Sequence, residues 1–315
     1  DSDGRVVLIT RNGAVVCADR TGKKQWSAIV GGGRGIGGQG LTLSPTGDVL
    51  AVTDSAVHCL SANGKSLWRW TENGGVTSAP AVGSDGTVYA MTNKSTLWAV
   101  SKGGQSIWSR ALCQVYGGGS WPSPAYCDQG LVFAACKGRN VYGVSADRGE
   151  LLWEFAVNDA VAASPAVGSD GTGYFASNAG WLFAIRPDGQ EAWVASVSGG
   201  SGRIAMIDAP LTVSKENTLY VAPRHGKVYA IAPDGEVIWD AAVGGQGTGD
   251  RPVAVSSDGR VYAATTGREL IGLSANGQTF MKITSGAWMS APAVGPDDTL
   301  YVGMGTKLFA LQIDG

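Results

Sequence analysis

Seven glycines, Gly22, Gly64, Gly104, Gly149, Gly189, Gly235 and Gly277, each stand four positions before a bulky residue. That residue is Trp26, Trp68, Trp108, Trp153, Trp193 and Trp239 in turn, and Met281 at the last. The steps between the glycines are 42, 40, 45, 40, 46 and 42 residues. A period in the low forties means an array of supersecondary units.

Inside each unit the apolar period is two. Residues 78–112 read SAPAVGSDGTVYAMTNKSTLWAVSKGGQSIWSRAL, four β-rich runs separated by GSDG, TNKS and SKGG turns, and 163–197 repeat the frame as ASPAVGSDGTGYFASNAGWLFAIRPDGQEAWVASV. Four short antiparallel strands per unit, about eight times over, predict an all-β fold: an eight-bladed β-propeller of four-stranded antiparallel blades. The repeats run approximately 1–30, 31–72, 73–112, 113–157, 158–197, 198–243, 244–283 and 284–315, and residues 1–315 read as one propeller domain. Strand A (SAPAV) is inner, B (TVYAM) and C (LWAV) follow, and D (SIWSRAL) is outer. The excess of glycine, 48 of 315 residues against about 7% in average proteins, belongs to the turns. The motif glycine supplies a positive φ at the C-to-D turn. The indole four positions on is expected to wedge against the neighbouring blade, at a cost of about 3–5 kcal/mol if a fully buried one is lost.

The first unit starts in its A-to-B turn and the last stops at its motif glycine. Together they lack one D-then-A segment. An N-terminal extension that completes the outer strand of blade eight and the inner strand of blade one is one expectation; a seam of two three-stranded blades is the other.

CADRTGKKQW (17–26) resembles the tryptophan-docking motif A-x-D-x-x-T-G-x-x-x-W of pyrroloquinoline-quinone-type propellers, one residue short, and GVSADRGELLW (143–153) keeps the longer spacing. The resemblance extends over essentially the whole chain. It implies a repeat shared by quinoprotein dehydrogenases, by a lipoprotein of the outer-membrane protein assembly machinery, and by sensor or adhesion ectodomains. The fold therefore does not choose the function.

A formal net charge of -2 with 16% charged residues provides no global attraction to nucleic acid. The longest apolar runs are about half a dozen residues, where a membrane-spanning helix needs about 20. The chain begins at Asp1 rather than methionine, as expected of a processed polypeptide, so membrane association through a missing N-terminal anchor stays open.

Cys17 and Cys59 occupy a slot that other repeats fill with alanine or glycine, and read as small core residues. Cys127 stands where Gly83 does at the A-to-B turn. Cys113, after strand D of blade three, and Cys136, at the end of strand B of blade four, should share a face and could pair as a disulfide in an oxidising compartment. With two histidines and no C-x-x-C, a zinc site is not expected, and the SDG turns (85, 170 and 258 carry the aspartates) read as hairpin chemistry rather than calcium ligation. GGGRGIGG contains G-x-G-x-x-G but no helix follows it, so it is not a phosphate loop.

Strand alternation places the B-to-C loops and D-to-A crossings at one face and the A-to-B and C-to-D turns at the other. The loop face is expected to be basic and the turn face acidic. Arg11, Arg34, Lys94, Trp121, Arg139, Arg203, Arg224, Lys227, Arg251, Arg268, Trp288 and Lys307 are the residues expected to rim the loop face and bind an acidic protein surface or anionic ligand. The function expected is a non-enzymatic, periplasmic or extracellular binding or scaffold module with a protein partner, no nucleic acid and no cofactor. The rival is a redox enzyme using pyrroloquinoline quinone (PQQ) with calcium. The adjacent cysteines of quinoprotein alcohol dehydrogenases and an acidic calcium cluster are missing from the sequence. A third reading is the sensing ectodomain of a larger receptor.

Overall fold

The computed structural model describes residues 4–10, 12–31, 40–53, 56–73, 75–76, 78–113, 122–136, 138–157, 159–197, 206–245 and 247–312. Every regular element among them is a β-strand, and each sheet is antiparallel. Eight sheets follow one another along the chain as the blades of a β-propeller. Blades two to seven have four strands, and blades one and eight have three among the described residues. The chain forms two compact units, residues 1–156 with blades one to four and residues 157–315 with blades five to eight.

Blade three shows the plan. Strand A is Ala81–Val82, B is Val88–Met91, C is Thr96–Val100 and D is Ser106–Ala111, hydrogen-bonded in that order. Inner strands are short, and strands B and C carry the core. Val88, Tyr89, Ala90 and Met91 are all buried, as are Leu97, Ala99 and Val100. Strand D alternates. Exposed Ile107 is followed by half-buried Trp108, because only one face of an outer strand meets another blade. A β-bulge in the C–D pairing of blades one to seven sits one residue beyond the pair that contains the docking residue. The extra residue increases local twist where the strand must meet its turn.

The indoles wedge against their neighbours as expected, with a tighter geometry than the motif alone conveys. Five docking rings lie on the motif glycine of the next blade: Trp26 on Gly64, Trp68 on Gly104 and Trp108 on Gly149 in the first unit, Trp193 on Gly235 and Trp239 on Gly277 in the second. A Cβ placed on any of these glycines would stand 2.5–2.8 Å from the nearest ring atom. The ring nitrogen then donates to a carbonyl just before that glycine: Trp26 to Ala62 (2.9 Å), Trp68 to Lys102 (2.8 Å), Trp108 to Ala146 (3.1 Å), Trp193 to Pro233 (2.7 Å) and Trp239 to Ala275 (2.8 Å). The glycine is thus required twice, for its φ of 68–93° and for the space its missing side chain leaves. These indoles are half-buried, so removing one costs less than the 3–5 kcal/mol expected of a fully buried ring.

Register explains the small slot on strand C. Cys17, Cys59, Ala99, Gly143, Ala184, Ala230 and Gly272 lie directly opposite Trp26, Trp68, Trp108, Trp153, Trp193, Trp239 and Met281. Burial pushes the Cys17 thiol up, and burial followed by Asp48 pushes Cys59 up to about 12, so both are inert core thiols. Trp153 settles over Gly143 of its own blade, where a Cβ would come within 2.2 Å of the ring. Met281 packs with Tyr262, Leu270 and Leu300 in the core of blades seven and eight.

Candidate functional site

Among the described residues, the places outside the core that gather aromatic and polar side chains include one at the turn end of the blades and one at the loop end. The first is a cleft of about 420 Å³ between blades three and four at the turn end, lined among others by Asp85, Tyr89, Trp108, Tyr126 and Asp147. Tyr126 stands where other repeats place Val82, Val167, Val213, Val255 and Val294, and its ring stacks on Tyr89 with centroids 5.7 Å apart and planes 6° from parallel. Several of its polar groups are bonded within the protein. Tyr89 Oη donates to the Ala146 carbonyl (3.1 Å), Asp85 accepts from the Thr87 amide and hydroxyl (2.8 Å each), and Asp147 accepts from Ser145 and faces Arg148. The amide bond from Thr87 is the main reason that Asp85 sits below the usual carboxylate range. Of these bonds, that of Tyr89 joins the two blades, and the aspartates are bonded within their own turns.

The second place is the loop end of blades seven and eight. The B-to-C turn of blade seven holds Arg268 at φ 63°. In five such turns the residue at this position offers its carbonyl to an amide at the end of strand D: Gly13 to Val30, Ser95 to Leu112, Gly180 to Val197, Gly226 to Val243 and Arg268 to Ser285, at 2.8–3.0 Å. Three of the five are glycine, the residue a left-handed backbone favours. Arg268 and Ser95 are the exceptions and carry the strain of that conformation. From that turn the Arg268 guanidinium lies 5.2 Å over the ring of Trp288, and it donates to the Gly286 carbonyl at 3.0 Å. Trp288 is 53% exposed while its neighbour Met289 is buried. Arg251, on the crossing into blade seven, donates to the carbonyls of Met289 and Thr248, both at 3.0 Å, tying the two crossings together. Beside it the Thr248 hydroxyl is fully buried with no hydrogen-bond partner among the described residues. Such a group marks a strained or functional place.

The remaining loop-face candidates separate. Arg224 donates through Nε (2.8 Å) and Nη2 to Oδ2 of Asp208 on its own blade's entry crossing, and Lys227 pairs with Asp240. Lys282 similarly meets Glu269 at 2.8 Å. Summing loop charges overlooks this neutralisation, because Asp240 and Lys282 sit on strand D rather than in a loop. Lys94, Arg139 and Lys307 project at the B-to-C ends of blades three, four and eight. Arg11, Arg34, Trp121 and Arg203 lie outside the described residues. Sequence reading also passed over a set of exposed apolar residues just before the docking position, Leu67, Ile107, Leu152, Ile238 and Phe280. The signal was there in the residue preceding each tryptophan or methionine.

Cys113 and Cys136 are thiols in the structure, Cys113 packed against the cluster in which Cys136 is buried. No described helix is long and apolar enough to cross a membrane.

The family model of the outer membrane protein assembly factor BamB matches residues 11–112, 100–249 and 178–315. No curated protein matches the sequence. Among solved structures, BamB from Moraxella catarrhalis superposes with a TM-score of 0.75 at 16% identity, over 96% of this chain and 89% of that one. The computationally designed Ika8 protein superposes with a TM-score of 0.81 at 15% identity, over 99% and 94%. At such identities these two likenesses concern the fold alone. The family model, matching in three overlapping stretches that together span residues 11–315, goes further: the chain belongs to the outer membrane protein assembly factor BamB family.

Proposed function

We propose that this protein is a non-enzymatic binding module of the periplasm that serves outer-membrane protein assembly, and that it engages a protein partner with the loop end of blades seven and eight. The observation that carries the choice of surface is Arg268. It occupies a turn position where glycine would relieve the backbone, and its guanidinium is held over a half-exposed tryptophan. Tryptophan and arginine are among the residues most enriched at interface hot spots, and a guanidinium is attracted to an indole face. Arg251 and the two crossings it joins make a rigid base for that pair.

The reading is tested by placing a photo-crosslinking residue at Trp288 and, separately, at Gln278 on the turn end of blade seven, in cells of the source organism. Adducts with an outer-membrane assembly component from position 288 and not from 278 are expected. Equal adducts from both, or none from 288, would overturn the surface. Purified protein mixed with PQQ and calcium is expected to show no thermal stabilisation and no dye-linked oxidation of alcohols or sugars. Turnover would make the rival redox reading the right one.

A further inference from the structure

Of the five cysteines, Cys17 and Cys59 face an indole across the strand pair and Cys127 lies opposite Leu131. Cys113 and Cys136 face one another. Cys113 follows strand D of blade three, and Cys136 follows strand B of blade four, Leu131–Ala135. Both belong to one packed cluster between these blades, with Tyr89, Met91, Val132, Ala134 and Tyr142. Cys136 is fully buried, and Cys113 is partly exposed. Cys113 packs against the edge of the cluster in which Cys136 is buried, and its side chain is the first cause of the rise in the Cys136 pKa.

We propose that Cys113 and Cys136 form a dithiol site that closes to a disulfide by exchange with a disulfide-bearing oxidant, with Cys113 as the attacking residue and Cys136 as the resolving one. Exposure assigns the order, since only Cys113 can be reached from solvent. The Cys113 thiolate attacks one sulfur of the oxidant, forming a mixed disulfide and releasing the first thiol. Cys136 then loses its proton and its sulfur attacks the Cys113 sulfur, breaking the bond to the oxidant. The second thiol leaves with that proton. Two cysteine thiols are oxidised and one disulfide of the oxidant is reduced to two thiols. The Cys113 side chain, and then burial, push the Cys136 thiol up, so Cys136 does not start the reaction by itself. The bond would fasten the start of the crossing into blade four to that blade's second strand. This inference is independent of the partner surface proposed on blades seven and eight.

The experiment treats the full chain with oxidised glutathione, then alkylates, digests and weighs the peptides. A Cys113–Cys136 linked peptide lighter by two hydrogens is expected, with a melting temperature higher by about 5 °C that dithiothreitol reverses. Cys136→Ser should stop at a stable glutathione adduct on Cys113, and Cys113→Ser should take up no glutathione at Cys136. Full alkylation of both cysteines after oxidant would overturn the site, as would a persistent glutathione adduct on the native chain. An adduct at Cys136 in Cys113→Ser would overturn the order of attack.

Discussion

The seams at the turn end of the blades and the turns at their loop end both repeat in backbone, yet only the seams repeat in side chain. Five seams pair an indole with a glycine and one ring nitrogen with one carbonyl. Five loop-end turns share a carbonyl-to-amide bond, but the residue giving that carbonyl is glycine, serine or arginine. At a seam, the chain's covalent spacing and the ring's volume leave one solution. At the loop end the hydrogen bond is made by backbone alone, and the side chain is released from folding. Arg268 uses that release against a conformational preference, and this difference separates a surface that folds the protein from one that can serve a partner.

The largest expected effect lies at a seam. Gly104→Ala forces a Cβ to 2.8 Å from the Trp68 ring at a φ of 82°. Backbone strain and overpacking together should cost about 3 kcal/mol. Gly22 has the same backbone, φ 81°, with nothing within 4 Å of its would-be Cβ, so Gly22→Ala should cost about 1 kcal/mol. Urea denaturation of the two variants isolates the docking contribution, and equal losses would mean that the indole does not hold the seam. Trp68→Ala should fall between them, at about 2 kcal/mol, since the ring is half-buried and gives up one hydrogen bond.

The same contrast explains what could be read beforehand. The fold was legible because Trp26 through Met281 recur at a fixed offset from glycine, and because steric exclusion by a ring leaves a glycine in the sequence. Even the cysteine slot was readable as small, although its reason, the indole directly across the strand pair, needed the register. The candidate site was legible only as a list. Arg224 and Lys227 carry the same formal charge as Arg268, but Asp208 and Asp240 bond the first two and a tryptophan 20 residues away in sequence stacks on the third. Lys227–Asp240 and Glu269–Lys282 recur at one place in the blade, the first residue of strand C against the fourth of strand D, but a sum of loop charges does not see a partner on a strand. The Tyr126–Tyr89 stack was hidden too, as a departure from the repeat whose partner is in another blade.

At the loop end, stability and binding should part company. Trp288→Ala, at a half-exposed ring, is expected to change the unfolding free energy by less than about 1 kcal/mol while weakening the partner about 30-fold. Arg268→Gly relieves a left-handed backbone and loses one guanidinium–indole contact, two contributions of about 1 kcal/mol and opposite sign. Its melting temperature should stay within about 2 °C of the native value while partner affinity falls. If both variants bind normally in a titration with the crosslinked partner, the loop end of these blades is ordinary surface.

Mild acid is the smallest perturbation and tells the two ends apart. His58, beyond the B-to-C loop of blade two, is hydrogen-bonded to Thr53 at 3.2 Å, and its pKa is lowered by burial first and by Arg69 second. His225, in the corresponding loop of blade six, is lowered too, mainly by burial. A histidine whose folded pKa is depressed contributes stability that is fully present above its unfolded value of about 6.5 and is lost as pH falls from there through the folded value. At the turn end the titrating groups are carboxylates. Asp19, Asp85, Asp147 and Asp258 are all held below their ordinary range by hydrogen bonds to their own turns. Their contribution is intact above an unfolded value of about 3.9 and is lost only below it. Between about pH 7.5 and pH 5.5, therefore, only the loop end should respond. The native protein should lose more melting temperature over that interval than His58→Gln, which retains His225 but has no proton to take up at position 58. Equal losses in the two proteins would place the acid sensitivity elsewhere, and a loss that begins only near pH 4 would assign it to the turns.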